Sequence, residues 1–298
     1  MPGHMRILHP APGIRAYYDG RVEGYRFADY PNWVDDGALS LGIASYALVE
    51  GDEAIVYDTH ITVEHARFIR ADLEASGVRK FTVVLSHHHL DHVAGTEAFA
   101  DCEIIANNKT NAHLRRRKPA IEAGTLEKLP AISPLIMPNR LFEGRMTLHL
   151  GGRRIELIEL NIHSDDATVI WLPDSRILLA GDTLEDTVTY VAEPQHFPQH
   201  LLDLDRLAAL DPASILPNHG DPDIIAAGGY SKTLITATRD YVSALMRIAD
   251  EPARQALSLR DFVAPQLEAG AIRYFAPYED VHRNNVAAAL AAGSRTAV

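Results

Sequence analysis

The 298-residue chain predicts an α+β fold in which packed β-sheets are flanked by helices and followed by a helical extension. Three observations lead there. Short β-type runs dominate the first two thirds, and the helices between them follow no regular β-α alternation. After Asp223 the pattern turns helical. Hydrophobic residues make up 47% of the chain, enough for one large core or two fused layers.

From Ile7 to about Glu53 the chain reads as short strands and turns, with 42–60 forming a hairpin that reverses at Gly51-Asp52 and runs into Asp58. Apolar residues at helical spacing over 63–78, closed by a glycine, precede the apolar run FTVVLS (81–86). This is a strand–helix–strand unit with LSHHHLDH where the second strand runs out. A strand over 102–107, a basic helix from about Lys109 and a Pro- and Gly-containing loop follow. Then comes a second hairpin, 145–160, turning at Gly151-Gly152. Two β runs, 166–173 and 176–182, an amphipathic helix, 200–210, and a short strand into a turn, 214–222, complete the strand-rich part. The tail carries helical patterns over 231–250, 259–270 and 277–293. We therefore expect a catalytic unit over 1–222 and a helical extension, 223–298, packed on the same domain as a cover or subunit contact, which allows a homo-oligomer through these helices. About 75 residues without strands make a marginal core of their own.

The formal charge of −12 repels polyphosphate and argues against extended nucleic-acid binding. The run Arg115-Arg116-Arg117-Lys118 reads as a solvated helix terminus. Cys102 is the only cysteine, so any metal site must use histidine and carboxylate, and a reducing cytoplasm is the expected compartment. The N-terminus lacks an apolar signal region and no stretch reaches membrane-span length; residues 1–4 precede an alternative start at Met5.

In an extended FTVVLSHHH, His87 and His89 share one face and His88 takes the other. Two imidazoles make a preorganised pincer for Zn²⁺, which needs one or two further ligands from elsewhere. Asp91 and His92, on the turn into the next helix, can reach the same cleft from another side.

His87-His88-His89-Leu90-Asp91-His92 resembles the HxHxDH signature of the metallo-β-lactamase-fold superfamily, with Gly95 at its usual following glycine. The other motifs of that superfamily occur in order: Asp58 in AIVYD, His163 in LNIHSDDAT, Asp182 in LLAGDTL and His219 in ILPNHGDP. The resemblance, over about residues 40–222, implies a four-layer αββα sandwich of two mixed sheets. It also implies a dinuclear metal centre: one ion held by His87, His89 and His163, a second by Asp91, His92 and His219, and Asp182 bridging. Zinc is the expected metal; iron or manganese suits the same nitrogen and oxygen donors. Such a pair would share a water acidified towards neutrality, the expected nucleophile for a carbonyl carbon or phosphorus. Asp91 would shuttle a proton to the leaving group. Asp182 stands where thiolate-ligand zinc β-lactamases carry cysteine, so the donor set is more similar to that of glyoxalase II, lactonases and phosphodiesterases.

Tyr190 lies where lactonases of the superfamily place a carbonyl-binding tyrosine, though at longer spacing from Asp182; it is either an oxyanion donor or a loop residue with its hydroxyl in water. Trp33, Tyr17 and Tyr18 are candidates for an apolar substrate wall or for sheet packing. His196, His200 and His282 read as surface or helix-cap residues, and His60 as a neighbour of the site without a ligand role. The expected function is metal-dependent hydrolysis of a small-molecule ester, lactone, thioester or amide, β-lactams included. The alternatives are a phosphodiesterase or nuclease, for which no long basic surface is evident, and a metal-binding protein without turnover.

Overall fold

A computed structural model describes residues 3–191 and 193–293. The first two residues of the N-terminal stretch, Ala192, and the last five of the helical extension lie outside the described residues. Twelve strands among these residues form two sheets, one of seven strands in the order β1-β2-β3-β4-β5-β6-β7 and one of five in the order β12-β11-β10-β9-β8. The first sheet contains β1 (Arg6–Ala11), β2 (Ile14–Asp19), β3 (Ile43–Glu50), β4 (Glu53–Tyr57), β5 (Lys80–Val84), β6 (Glu103–Asn107) and β7 (Arg140–Phe142). The second contains β8 (Arg145–Leu150), β9 (Arg153–Ile162), β10 (Ser164–Leu172), β11 (Ile177–Gly181) and β12 (Ser214–Pro217). Both hairpins turn where expected: Glu50 pairs with Glu53 and Leu150 with Arg153, and Gly51 and Gly151 each take a φ of +57° that side chains resist. Strand β7 was not anticipated from sequence, being three residues long.

Alternation explains the layers. In β3 to β5, Tyr46, Leu48, Ile55, Tyr57 and Val84 face the second sheet, while Ala47, Ala54, Val56 and Val83 face outward. On that outer side lie α1 (Val63–Ala75), capped by Thr62, and α3 (Asn108–Glu122), capped by Asn107, inserting Ala66, Ile69, Leu73, Leu114 and Ile121. The one-turn α2 (Leu90–Val93) separates them in sequence. On the far side of the second sheet, α4 (Phe197–Ala209) packs on β9. The result is the four-layer αββα sandwich. The basic run lies inside α3, which continues past it through Pro119, so it is not a helix terminus.

The extension holds α5 (Pro222–Ala226), α6 (Thr233–Met246), the short α7 (Pro252–Gln255), α8 (Leu259–Phe262) and α9 (Ala264–Glu268), and α10 (Tyr278–Gly293). Its Leu234, Tyr241, Leu245, Phe262, Tyr278 and Val286 belong to the same apolar cluster as the facing sheet residues. No helix among the described residues is long and apolar enough to cross a membrane.

Gly95, just after α2, sits where a Cβ would lie 2.1 Å from the Thr59 carbonyl oxygen and 2.3 Å from the Ala66 Cβ. Backbone and helix α1 cannot both give way cheaply. Gly95→Ala is expected to destabilise the fold by about 1–3 kcal/mol, measured by urea denaturation of metal-free protein.

Candidate metal centre

The ends of five strands meet at one edge of the sandwich. Asp58 follows β4, the histidine segment follows β5, His163 joins β9 to β10, Asp182 follows β11, and His219 lies two residues past β12. The sheets are bonded to each other here: Thr168 N donates to Ser86 O at 2.7 Å, Ala44 N to Asn218 O at 2.8 Å, and the Tyr57 hydroxyl to Thr168 O at 2.5 Å. Asp58 and His163 take positive φ, 66° and 69°, the cost of turning their side chains inward.

Strand β5 ends at Val84, two residues before the expected end at Ser86, and the three histidines follow as an unpaired segment where the strand runs out. Their facing still divides as alternation predicts. His87 and His89 join His163 in one group of potential ligands, with His163 Nε2 3.0 Å from His89 Nδ1. His88 turns away, its Nδ1 donating to Asp166 Oδ1 at 3.0 Å while its ring stacks on His113. Asp91, His92 and His219 form a second group. Asp182 Oδ2 lies between the groups, 3.1 Å from His92 Nε2, 3.4 Å from His219 Nε2 and 3.7 Å from both His87 Nε2 and His163 Nε2. All seven predicted ligands are thus brought together.

The remaining ring nitrogens are held from behind. His92 Nδ1 donates to Asp58 Oδ2 at 2.9 Å and His219 Nδ1 to Gly42 O at 2.7 Å, which turns each Nε2 inward. His87 Nδ1 contacts Ser86 Oγ at 2.9 Å. Asp58 also accepts from Ser86 N and Asn218 Nδ2, at 2.7 and 2.6 Å, so it ties three strand ends together without entering the cluster.

The electrostatics match a cation site. Burial and the neighbouring imidazoles keep His87 and His89 far below the usual histidine range, hence neutral and ready to ligate. Burial also opposes charge on His92 and His219, but Asp182 and Asp91 outweigh it and raise both well above that range. The carboxylates attract positive charge, whether proton or metal. Three buried polar atoms of the ligand residues, His87 Nε2, His163 Nδ1 and Asp182 Oδ1, have no hydrogen-bond partner among the described residues, and His87 Nε2 and Asp182 Oδ1 lie where divalent ions would satisfy them.

The cluster opens into a cleft of about 610 Å³. Trp33, Leu41, Leu90, Tyr190 and Val281 line it together with Asp91, Glu127, His163, Asp182, Glu185 and His219. Trp33 stands in the wall with its indole N–H on Pro130 O, whereas Tyr17 and Tyr18 are buried in the sheet with hydroxyls on Asp72 and Gly220. Tyr190 is half-buried, edge-on to His163. Burial and nearby Glu127 raise its phenol pKa, so it remains a donor at neutral pH. Two of the histidines expected at the surface are buried. His200 sits inside α4, its pKa pushed down to about 4 by burial, and His282 packs in α10 against Tyr241. His60 is buried and stacked on His65 outside the ligand groups.

The residue that sequence reasoning missed is Glu185. It is 2% exposed, lines the cleft and lies 3.5 Å from His163 Nδ1. Its only sequence signal is its position three residues after Asp182.

A family model described as the metallo-beta-lactamase superfamily matches residues 40–225. The chain belongs to this superfamily. It is 25% identical over 182 residues to a beta-lactamase-like protein 2 homolog of Caenorhabditis elegans, covering 60% of this chain and 56% of that protein. It is 21% identical over 237 residues to a linear primary-alkylsulfatase of a Pseudomonas species (66% and 44%), and 29% identical over 102 residues to a hydroxyacylglutathione hydrolase of Rhodobacter capsulatus (34% and 33%). The matches therefore span from a third to just over half of these relatives' lengths. Among solved structures, the DIM-1 metallo-beta-lactamase exposed to ceftazidime superposes with a TM-score of 0.59 at 20% identity, covering 81% of this chain and 98% of that one. A metallo-beta-lactamase from Pontibacter korlensis gives 0.60 at 15% identity, covering 80% and 99%. At these identities the likeness concerns the fold.

Two outcomes follow. Asp58→Asn should weaken Zn²⁺ binding by about 10–100-fold in a chelator competition, because His92 loses its orienting acceptor. Since His92 and His219 are raised above their ordinary range, metal must displace protons. Apparent affinity should accordingly rise with pH, with proton release on Zn²⁺ addition seen as buffer-dependent heat in calorimetry.

Proposed function

We propose that this chain is a dinuclear metal-dependent hydrolase acting on the carbonyl of a small ester, lactone, thioester or amide. The observation that carries the reading is the convergence of four histidine nitrogens within 3.1–3.7 Å of one Asp182 oxygen, beside Asp91, at the floor of an open cleft. His87, His89 and His163 would hold one ion and Asp91, His92 and His219 the other, with Asp182 between. Zinc is the ion these donors suit first, and iron or manganese are alternatives. When bound, the ions supply an acidified water as nucleophile and polarise the scissile carbonyl.

The chain's own residues do the rest. Tyr190, protonated and facing the cleft beside His163, would donate to the carbonyl oxygen as negative charge grows on it. Asp91 Oδ2, 3.2 Å from His219 Nε2 and reached from the cleft, is placed to pass a proton to the leaving group. Trp33, Leu41, Leu90 and Val281 would hold an apolar acyl or alkyl portion out of water.

Charge narrows the substrate class. Among the described residues lining the cleft none is lysine or arginine, while Glu127 stands there with no ion pair. Away from the ions, the cleft offers no guanidinium or ammonium to pair with a remote carboxylate, sulfate or phosphate, which favours substrates whose groups beyond the scissile carbonyl are neutral. Glutathione thioesters and alkyl sulfates, which the names of two relatives specify, are anionic. A substrate panel on Zn²⁺-loaded protein tests the reading: neutral aryl esters and lactones should turn over in preference to carboxylate-bearing analogues and bis(p-nitrophenyl) phosphate. Asp182→Asn should lower kcat by more than ~100-fold. Metal-replete protein inert to every acyl substrate would overturn it.

A further inference from the structure

The loop that follows Asp182 is fastened to the helical extension along its whole length. Asp186 accepts from Arg273 N at 2.7 Å and from the Tyr230 hydroxyl at 2.8 Å. Thr187 Oγ1 donates to Arg273 O at 2.7 Å and accepts from Phe275 N at 3.0 Å. Asn285 of α10 accepts from Val191 N at 2.8 Å and donates to Thr189 O at 3.0 Å. Thr189 Oγ1 in turn lies 2.6 Å from the Asp182 carbonyl and 3.0 Å from Glu185 Oε1. Side chains of Asp186, Thr187, Thr189 and Asn285 are all essentially buried, so these bonds are shielded from water.

Glu185 is the centre of this arrangement. Its Oε1 accepts from Tyr190 N at 3.0 Å as well as from Thr189, and its Oε2 accepts from the Tyr278 hydroxyl of α10 at 3.1 Å. Tyr278 is 0% exposed. On the other side, Glu185 Oε1 lies 3.5 Å from His163 Nδ1, a buried nitrogen with no hydrogen-bond partner among the described residues. The two nitrogens of His163 have different surroundings: Nε2 points to His89 and Asp182, Nδ1 to Glu185. Glu185 also forms a group of potential ligands with His163 and Asp182, but its two oxygens are already taken up by the Tyr190 amide and the Tyr278 hydroxyl, which leaves it placed as a partner of the imidazole.

We infer that Glu185 is a positioning residue for His163 and that Tyr278 of α10 acts through it, so that the helical extension is a working part of the metal centre. This rests on the metal-centre reading above and goes beyond it, since nothing in the ligand motifs assigns the extension a role. The same carboxylate takes the Tyr190 backbone, so the clamp also fixes where that phenol enters the cleft. The long 3.5 Å contact is one that tightens when Nε2 is ligated and Nδ1 must donate.

The test is Zn²⁺ affinity by chelator competition, an equilibrium readout independent of any substrate, on wild type, Glu185→Gln, Tyr278→Phe and the double variant. Thermal melting of each metal-free protein separates positioning from folding. Glu185→Gln should weaken Zn²⁺ binding by about 10–100-fold, and Tyr278→Phe, which keeps the ring, by a smaller factor in the same direction. Because Tyr278 acts through Glu185, adding Tyr278→Phe to Glu185→Gln should cost nothing further. Wild-type affinity in Glu185→Gln would overturn the inference alone, as would losses that multiply in the double variant or that merely track melting temperature. A wild-type chain that bound no Zn²⁺ would overturn it together with the metal-centre reading.

Discussion

A carboxylate taken out of water needs positive charge close by, and Asp182 is buried almost completely at the bottom of the cleft. Four imidazole nitrogens surround its Oδ2, and an imidazole can answer that need with a proton or by sharing a metal ion. The rest of the edge is built to keep those rings in place. Asp58, Ser86, the Gly42 carbonyl and Glu185 each stand behind a histidine, and the strands that deliver the rings are bonded across the two sheets at this edge. Asp58 and His163 take positive φ at the strand ends that carry them, whereas Asp182 and His219 reach the centre without it.

The parts legible in the sequence are those fixed by local pattern. Gly51-Asp52 and Gly151-Gly152 marked the two hairpins, helical spacing gave α1, and the HxHxDH run with its later partners gave all seven residues that converge. What escaped depended on contacts distant in sequence. Glu185 lies in an ordinary turn and gains its place only when α10, about ninety residues on, brings Tyr278 to it. His200 and His282 looked like exposed polar positions because helical periodicity says which residues share a face and not what packs against that face. The histidine segment leaves the β5 ladder at Val84, yet His88 still diverges, because an extended backbone alternates its side chains with or without a pairing strand.

The superfamily supplies a fold that many substrates have exploited, so specificity has to be argued from the cleft. Here the wall combines Trp33 from the N-terminal segment, Tyr190 from the clamped loop and Val281 from α10. Three separated segments of chain therefore shape the pocket around one cluster of potential metal ligands, with no lysine or arginine among its described lining residues.

The central claim is that the buried cluster holds two ions shared by Asp182. Anomalous diffraction at the zinc edge from Zn²⁺-loaded crystals tests it directly. Two peaks are expected, one enclosed by His87, His89 and His163 and the other by Asp91, His92 and His219, with Asp182 between them. A single peak at full occupancy, or zinc bound instead among His88, His113 and Asp166, would contradict it.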